Sequence, residues 1–165
     1  MKRITFILCA MLISIGVYAQ KGEQAAGINL NFGTTASSVG LGAKYQYGIT
    51  DAIRLEPSLT YYLGDTGMLD VTVNAHYLFD VHPKIKVYPL LGIGIDMCRY
   101  EYSDMDEAWN EKTSHETDAC FKLNLGGGGE YALTDKWSVG LELKFEIITG
   151  GYSQFVVGLG TAYKF

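Results

Sequence analysis

Phe155-Val156-Val157-Gly158-Leu159-Gly160-Thr161-Ala162-Tyr163-Lys164-Phe165 closes the chain and alternates strictly. One face carries Phe155, Val157, Leu159, Thr161, Tyr163 and Phe165; the other carries Val156, Gly158, Gly160, Ala162 and Lys164. Period-two alternation puts successive side chains on opposite faces of a strand. Working back from it, seven more such segments appear, at 26–33, 38–48, 53–63, 68–79, 85–98, 119–132 and 137–148. Val, Ile, Tyr, Phe and Thr recur within them, and Gly, Asp and Asn cluster between them. The glycines inside strands, as at Gly126–Gly129, point to bending or close packing.

The faces differ in kind. Odd positions in segments two to eight, and Ile28, Leu30 and Phe32 in the first, carry no Lys, Arg, Asp or Glu. The opposite face holds Lys44, Arg54, Glu56, Asp70, Lys86, Asp96, Lys122, Glu130, Glu142, Lys144, Glu146 and Lys164, six of each sign. Alternation alone does not say which face is inside. A soluble barrel would turn the apolar face inward; a membrane barrel would turn it to lipid. Three features favour lipid outside. Tyr45, Tyr47, Tyr61, Tyr77, Phe79, Tyr131, Trp137, Tyr163 and Phe165 gather near strand ends, as an interfacial girdle does. The charged face balances to zero. The third feature is the terminal motif Gly160, Tyr163, Phe165.

That motif resembles the closing strand and sorting signal of bacterial outer-membrane β-barrels. With the alternating pattern, the chain resembles the small eight-stranded OmpA/OmpX-like family, often called a porin family. The resemblance implies an all-β, eight-stranded antiparallel up-and-down transmembrane barrel in the outer membrane. It implies outer-membrane lipid as surroundings, the barrel-assembly machinery as a partner during biogenesis, and no cofactor. A monomer is expected.

Met1-Lys2-Arg3, the apolar run Ile4–Val17 and Ala19 describe a signal peptide over residues 1–19. The barrel domain is then 20–165. Removing Lys2 and Arg3 leaves 11 basic and 18 acidic residues, net −7, which argues against nucleic acid as a partner. The repeat Ile49-Thr50-Asp51-Ala52-Ile53 and Leu133-Thr134-Asp135-Lys136-Trp137, with a looser copy at 79–85, marks three tight turns at one end. The other end holds the one long connection, expected as an acidic loop over 101–118. It carries Glu101, Asp104, Asp106, Glu107, Glu111, Glu116 and Asp118 against Lys112, with Tyr102 and Trp109 as contact candidates for an extracellular ligand.

An eight-stranded barrel has an interior that side chains nearly fill. The twelve inward charges therefore read as a salt-bridged plug, with a narrow diffusion channel as the alternative. His76 faces inward beside Arg54 or Glu56. A lipid-modifying enzyme using His76 with Ser58 and Glu56 is the catalytic alternative, and no metal site is expected from the histidine spacing. Cys98 and Cys120, both inward, are expected opposite each other, in the register that sets Asp96 against Lys122 and Tyr88 against Glu130. In an oxidising periplasm that register predicts a Cys98–Cys120 disulfide at the base of the acidic loop.

Overall fold

A computed structural model describes residues 22–34, 38–63, 67–105, 111–149 and 153–165; side chains at 98–105 and 111–118 lie outside that description. The expected signal peptide also lies outside the described residues. Strands β1 (Gln24–Gly33), β2 (Ser38–Gly48), β3 (Ile53–Leu63), β4 (Met68–Tyr77), β5 (Phe79–His82), β6 (Ile85–Met105), β7 (Glu111–Ala132), β8 (Trp137–Ile148) and β9 (Ser153–Lys164) form one antiparallel sheet. β5 prolongs β4 after a break at Leu78, so the sheet counts as eight staves. Neighbour pairs follow the sequence, β1 closes on β9, and β4 pairs with β6. Closure leaves no sheet edge along the barrel wall, the condition for strands to cross lipid.

The apolar face is outside. Ile28, Leu41, Leu59, Ile93, Leu143, Phe155 and Leu159 are each at least half exposed, whereas Asn74, Asn124, Asp70, Asp96 and Glu146 are fully buried. The soluble-barrel alternative is thereby removed. Large apolar side chains on the outside and buried charges within invert the usual globular arrangement.

Inward glycines are seats for large lumen side chains. A Cβ at Gly40 would come within 2.8 Å of the Tyr62 ring, at Gly128 within 2.7 Å of the Tyr88 ring, and at Gly160 within 3.1 Å of Lys44 Nζ. The lumen is narrow, and long side chains from one strand lie across the bare backbone of another.

The two repeated turns share one hydrogen-bond pattern. Ile49 N and Thr50 N donate to Ile53 O, and Leu133 N and Thr134 N donate to Trp137 O. Thr50 Oγ1 accepts from Ala52 N and Ile53 N; Thr134 Oγ1 accepts from Lys136 N and Trp137 N. The threonine oxygen makes these bonds in both turns.

The acidic connection differs from expectation. β6 and β7 continue their ladder through Tyr100↔Glu116 and Asp104↔Lys112 to Met105↔Glu111. Only 106–110 lie between the strands, outside the described residues. The flanking pairings stop earlier, at Met68↔Cys98 and Lys122↔Ile148. Beyond those points the hairpin stands as a two-stranded ribbon rather than a loop. Its β7 arm, Glu111 to Asp118, is polar throughout, and the two arms are joined by their backbone ladder.

The register of this hairpin also corrects the cysteine expectation. Cys98 faces Asp118, Cys120 faces Asp96, Gly94 faces Lys122, and Lys86 faces Glu130. The observed pairing is displaced by two residues from the expected one. Cys120 is a free thiol; the Cys98 side chain lies outside the described residues. Diagonal neighbours have Cβ atoms farther apart than the roughly 3.5–4.5 Å a disulfide requires.

Candidate functional site

The twelve inward charges predicted from alternation divide into layers along the lumen. Ten of them are buried; Lys86 and Lys164, at the turn end, are half-buried. At the hairpin end, Lys122 Nζ sits 2.7 Å from Asp70, 2.9 Å from Asp96 and 3.5 Å from Glu146. Thr72 donates to Asp70 at 2.6 Å, and Gln154 donates to Glu146 at 2.9 Å. Asp70 and Asp96 are direct cross-strand partners, a like-charge pairing that the shared ammonium offsets. Asp96 and Lys122, expected as direct partners, meet diagonally.

A neutral belt lies next along the strands. Asn29 and Asn31 donate to Thr60 Oγ1 at 3.3 and 3.4 Å, and Asn124 donates to Asn74 at 3.2 Å. Sequence reasoning passed over these amides because only ionisable groups were counted. Their buried inward positions were legible in the same alternation. Lys144 is buried and makes no ion pair within 4 Å among the described residues.

Towards the turn end, Lys44 bridges Glu56 at 3.2 Å and Glu142 at 3.6 Å. Gln46 donates to Glu56 at 2.7 Å, and Tyr88 donates to Glu142 at 3.0 Å. Arg54 pairs with Glu130 at 2.7 Å and also donates to Gln46. At the mouth Lys164 pairs with Glu23 at 2.5 Å. Buried ion pairs of this kind hold when each charge is matched and hydrogen-bonded.

Of the two expected neighbours, Arg54 and Glu56, it is Arg54 that lies directly opposite His76. Its ring stacks on Tyr88 at 4.4 Å, and the Arg54 guanidinium lies 5.1 Å over the same Tyr88 ring. Arg54 approaches His76 Nδ1 at 3.2–3.4 Å. An arginine only donates, so Nδ1 accepts and the ring proton belongs on Nε2. Ser58 pairs in register with Lys44 and Thr72, and among the described residues no serine bonds to His76. The arrangement offers no activated nucleophile of the kind the His76 alternative needs.

Glu56, His76 and Glu142 present ligand atoms all within 4.8 Å of one another. Lys44 already bridges both carboxylates, and Arg54 occupies Nδ1. With the proton on Nε2, no imidazole lone pair remains for a metal. The cluster is built as an ion-pair node around an internal ammonium.

Gly160 and Tyr163 sit on the closing strand, and Phe165 follows its last residue. Tyr163 packs on Trp137 at 5.1 Å beneath Lys136 Nζ, and Phe165 packs against Tyr45 at 6.5 Å. Phe165 N donates to Gln24 O, tying the chain end to β1. These contacts build an aromatic girdle at the turn end.

A closed barrel with a charge-free exterior and a filled, ion-paired interior is the architecture of a small outer-membrane protein. The profile of the outer membrane protein β-barrel domain matches residues 5–165. The chain belongs to that family. The family and its structural relatives place it in the bacterial outer membrane. The N-terminal barrel domain of Pseudomonas aeruginosa OprF superimposes with TM-score 0.67 at 18% identity, over 88% of this chain and 98% of that one. Ail, the attachment invasion locus protein of Yersinia pestis, gives 0.61 at 16%, over 88% and 100%; it has also been solved with the heparin analogue sucrose octasulfate. Neisserial surface protein A gives 0.57 at 16%, over 87% and 96%. At such identities the likeness is one of fold. Among curated proteins, none matches the sequence.

Proposed function

We propose that this outer-membrane barrel is a cell-surface interaction protein whose working part is the β6–β7 ribbon. The orientation adopted places the short turns in the periplasm and the ribbon outside, following the short-turn, long-loop asymmetry of such barrels. The observation that carries the reading is the ladder reaching Met105↔Glu111 when its neighbours end at Met68 and Ile148. Seven further residues on β6 project beyond the last β4 pairing, roughly 23 Å at about 3.3 Å per residue. The lumen, plugged by Lys122, Arg54, Lys44 and their carboxylates, supports a structural or adhesive role over a conducting one.

The chemistry of the ribbon selects the partner class. Residues 101–118 hold seven carboxylates against Lys112. A sulfated sugar such as the one bound to Ail would be repelled, whereas a basic protein segment would be attracted. A strain lacking the protein and one expressing it without Ser103–Thr117 provide the test. Equal loss of adhesion to basic, protein-coated surfaces supports the ribbon. Full adhesion by the ribbon-less barrel would assign the function to the barrel body.

A further inference from the structure

The register of the sheet sets Lys86 of β6 opposite Glu130 of β7, yet the two form no ion pair. Glu130 is turned to Arg54 at 2.7 Å, and Lys164, the cation beside it, is held by Glu23. Lys86 is left inward-facing, half-buried and without an ion pair among the described residues. Asp80, its partner on β5, is exposed and closes no ion pair with it. An ammonium drawn partly out of water with no counter-charge is costly, and an anion beside it removes the cost.

Lys86 opens into a cavity of about 400 Å³ at the turn-end mouth of the lumen. Lys84 lines it from the turn before β6, Leu133 and Asp135 from the turn after β7, and Glu130 and Lys164 from the lumen. Ala132 N donates to Lys84 O at 2.8 Å, which holds the two turns side by side. The volume falls in the range of small-molecule sites, about 300–1,000 Å³.

The charges of the cavity describe its occupant. Glu130 and Lys164 are engaged by Arg54 and Glu23. The ammoniums of Lys84 and Lys86 and the carboxylate of Asp135 remain, and none of the three makes an ion pair among the described residues. A complementary molecule carries two acidic groups and one amine. A plain dicarboxylate would leave Asp135 facing a like charge, and a neutral amino acid would leave one ammonium unmatched. Charge-assisted hydrogen bonds from both lysines are the strong contacts such a site offers.

We propose that the mouth cavity binds one small acidic zwitterion, of the acidic amino-acid class, with its carboxylates on Lys86 and Lys84 and its ammonium on Asp135. Under the orientation proposed above, the cavity opens to the periplasm, at the far end of the barrel from the ribbon. Binding in micelles depends on neither the orientation nor the ribbon, so its failure and the failure of the surface-protein reading are separable.

The full barrel, isotope-labelled and folded in detergent, is titrated with L-glutamate and, separately, with sodium chloride at matched ionic strength. Backbone amide shifts in the two turns that saturate at one glutamate per barrel are expected. Lys86→Gln should keep the heat-resistant folded band and weaken binding about tenfold or more. Lys84→Gln, at an exposed turn residue, should act in the same direction, which keeps the test informative if Lys86→Gln misfolds. Asp135→Asn should retain binding and lose the preference for glutamate over glutarate, which lacks the amine. No saturable shift, or the same shifts with sodium chloride, would overturn the site. Equal affinity in the wild type and a folded lysine variant would do the same. Equal binding of glutamate and glutarate by the wild type would overturn the place given to Asp135.

Discussion

Arg54 Nη1 lies 2.7 Å from Glu130 Oε2, joining β3 to β7 across 76 residues of sequence. Both side chains are buried. The pair ties opposing walls of the lumen together and fixes the guanidinium over Tyr88 and His76. Glu130→Gln should therefore destabilise the folded barrel more than a surface charge change would. Breaking one partner of a buried pair costs about 3–5 kcal/mol. Urea unfolding of the refolded barrel in lipid vesicles measures it; a loss below about 1 kcal/mol would show that the pair is not structurally important.

The filled lumen predicts negligible steady conductance. Lys122 with three carboxylates at one level, and Lys44 and Arg54 with three at another, set paired side chains across the lumen. Purified protein in planar bilayers should stay closed. Large, stable open levels in the wild type would contradict the plug.

The outer face predicts an asymmetry within two residues of β8. Leu141→Arg places a cation on the lipid-facing wall and should impair assembly, at a cost of about 2–4 kcal/mol near mid-bilayer. Glu142→Gln, one residue along and inward, should be milder, because Lys44 keeps Glu56 at 3.2 Å. Assembly yield into vesicles, scored by the heat-modifiable gel shift, compares the two. Normal assembly of Leu141→Arg would contradict lipid at that wall.

The paired turns predict matched effects. Thr50→Ala and Thr134→Ala each remove an oxygen that accepts two backbone N–H groups. Each should cost about 0.5–1.5 kcal/mol. Thr50→Ser and Thr134→Ser should recover most of it, since the hydroxyl is retained. Equal losses in the Ala and Ser variants would indicate methyl packing instead.

The hairpin register predicts two free thiols. Cys98 and Cys120 face aspartates rather than each other. Alkylation of the denatured, unreduced protein should modify both Cys98 and Cys120 in every chain. A mass showing neither modified would mean that the ladder slips to the other register in the membrane.

Alternation by itself sorted the residues into two faces, and with the turn repeats it determined eight staves; the aromatic ends, the balanced charges and the terminal motif chose which face meets lipid. Period two is a local property, fixed by the pleat, so it survives without knowledge of the neighbours. The faces of all twelve charges were legible that way, and His76 was placed beside Arg54 or Glu56 without a choice between them. The register of β6 on β7 was not. A slip of one residue would turn every side chain to the wrong face, but a slip of two leaves every face unchanged. Asp96 against Lys122 and Cys98 against Cys120 were therefore consistent with the pattern and still displaced. Nor could the pattern pair Arg54 with Glu130 or seat Tyr88 on Gly128. Those contacts depend on how a twisted sheet closes and how far its strands tilt, and only the closed barrel sets that geometry.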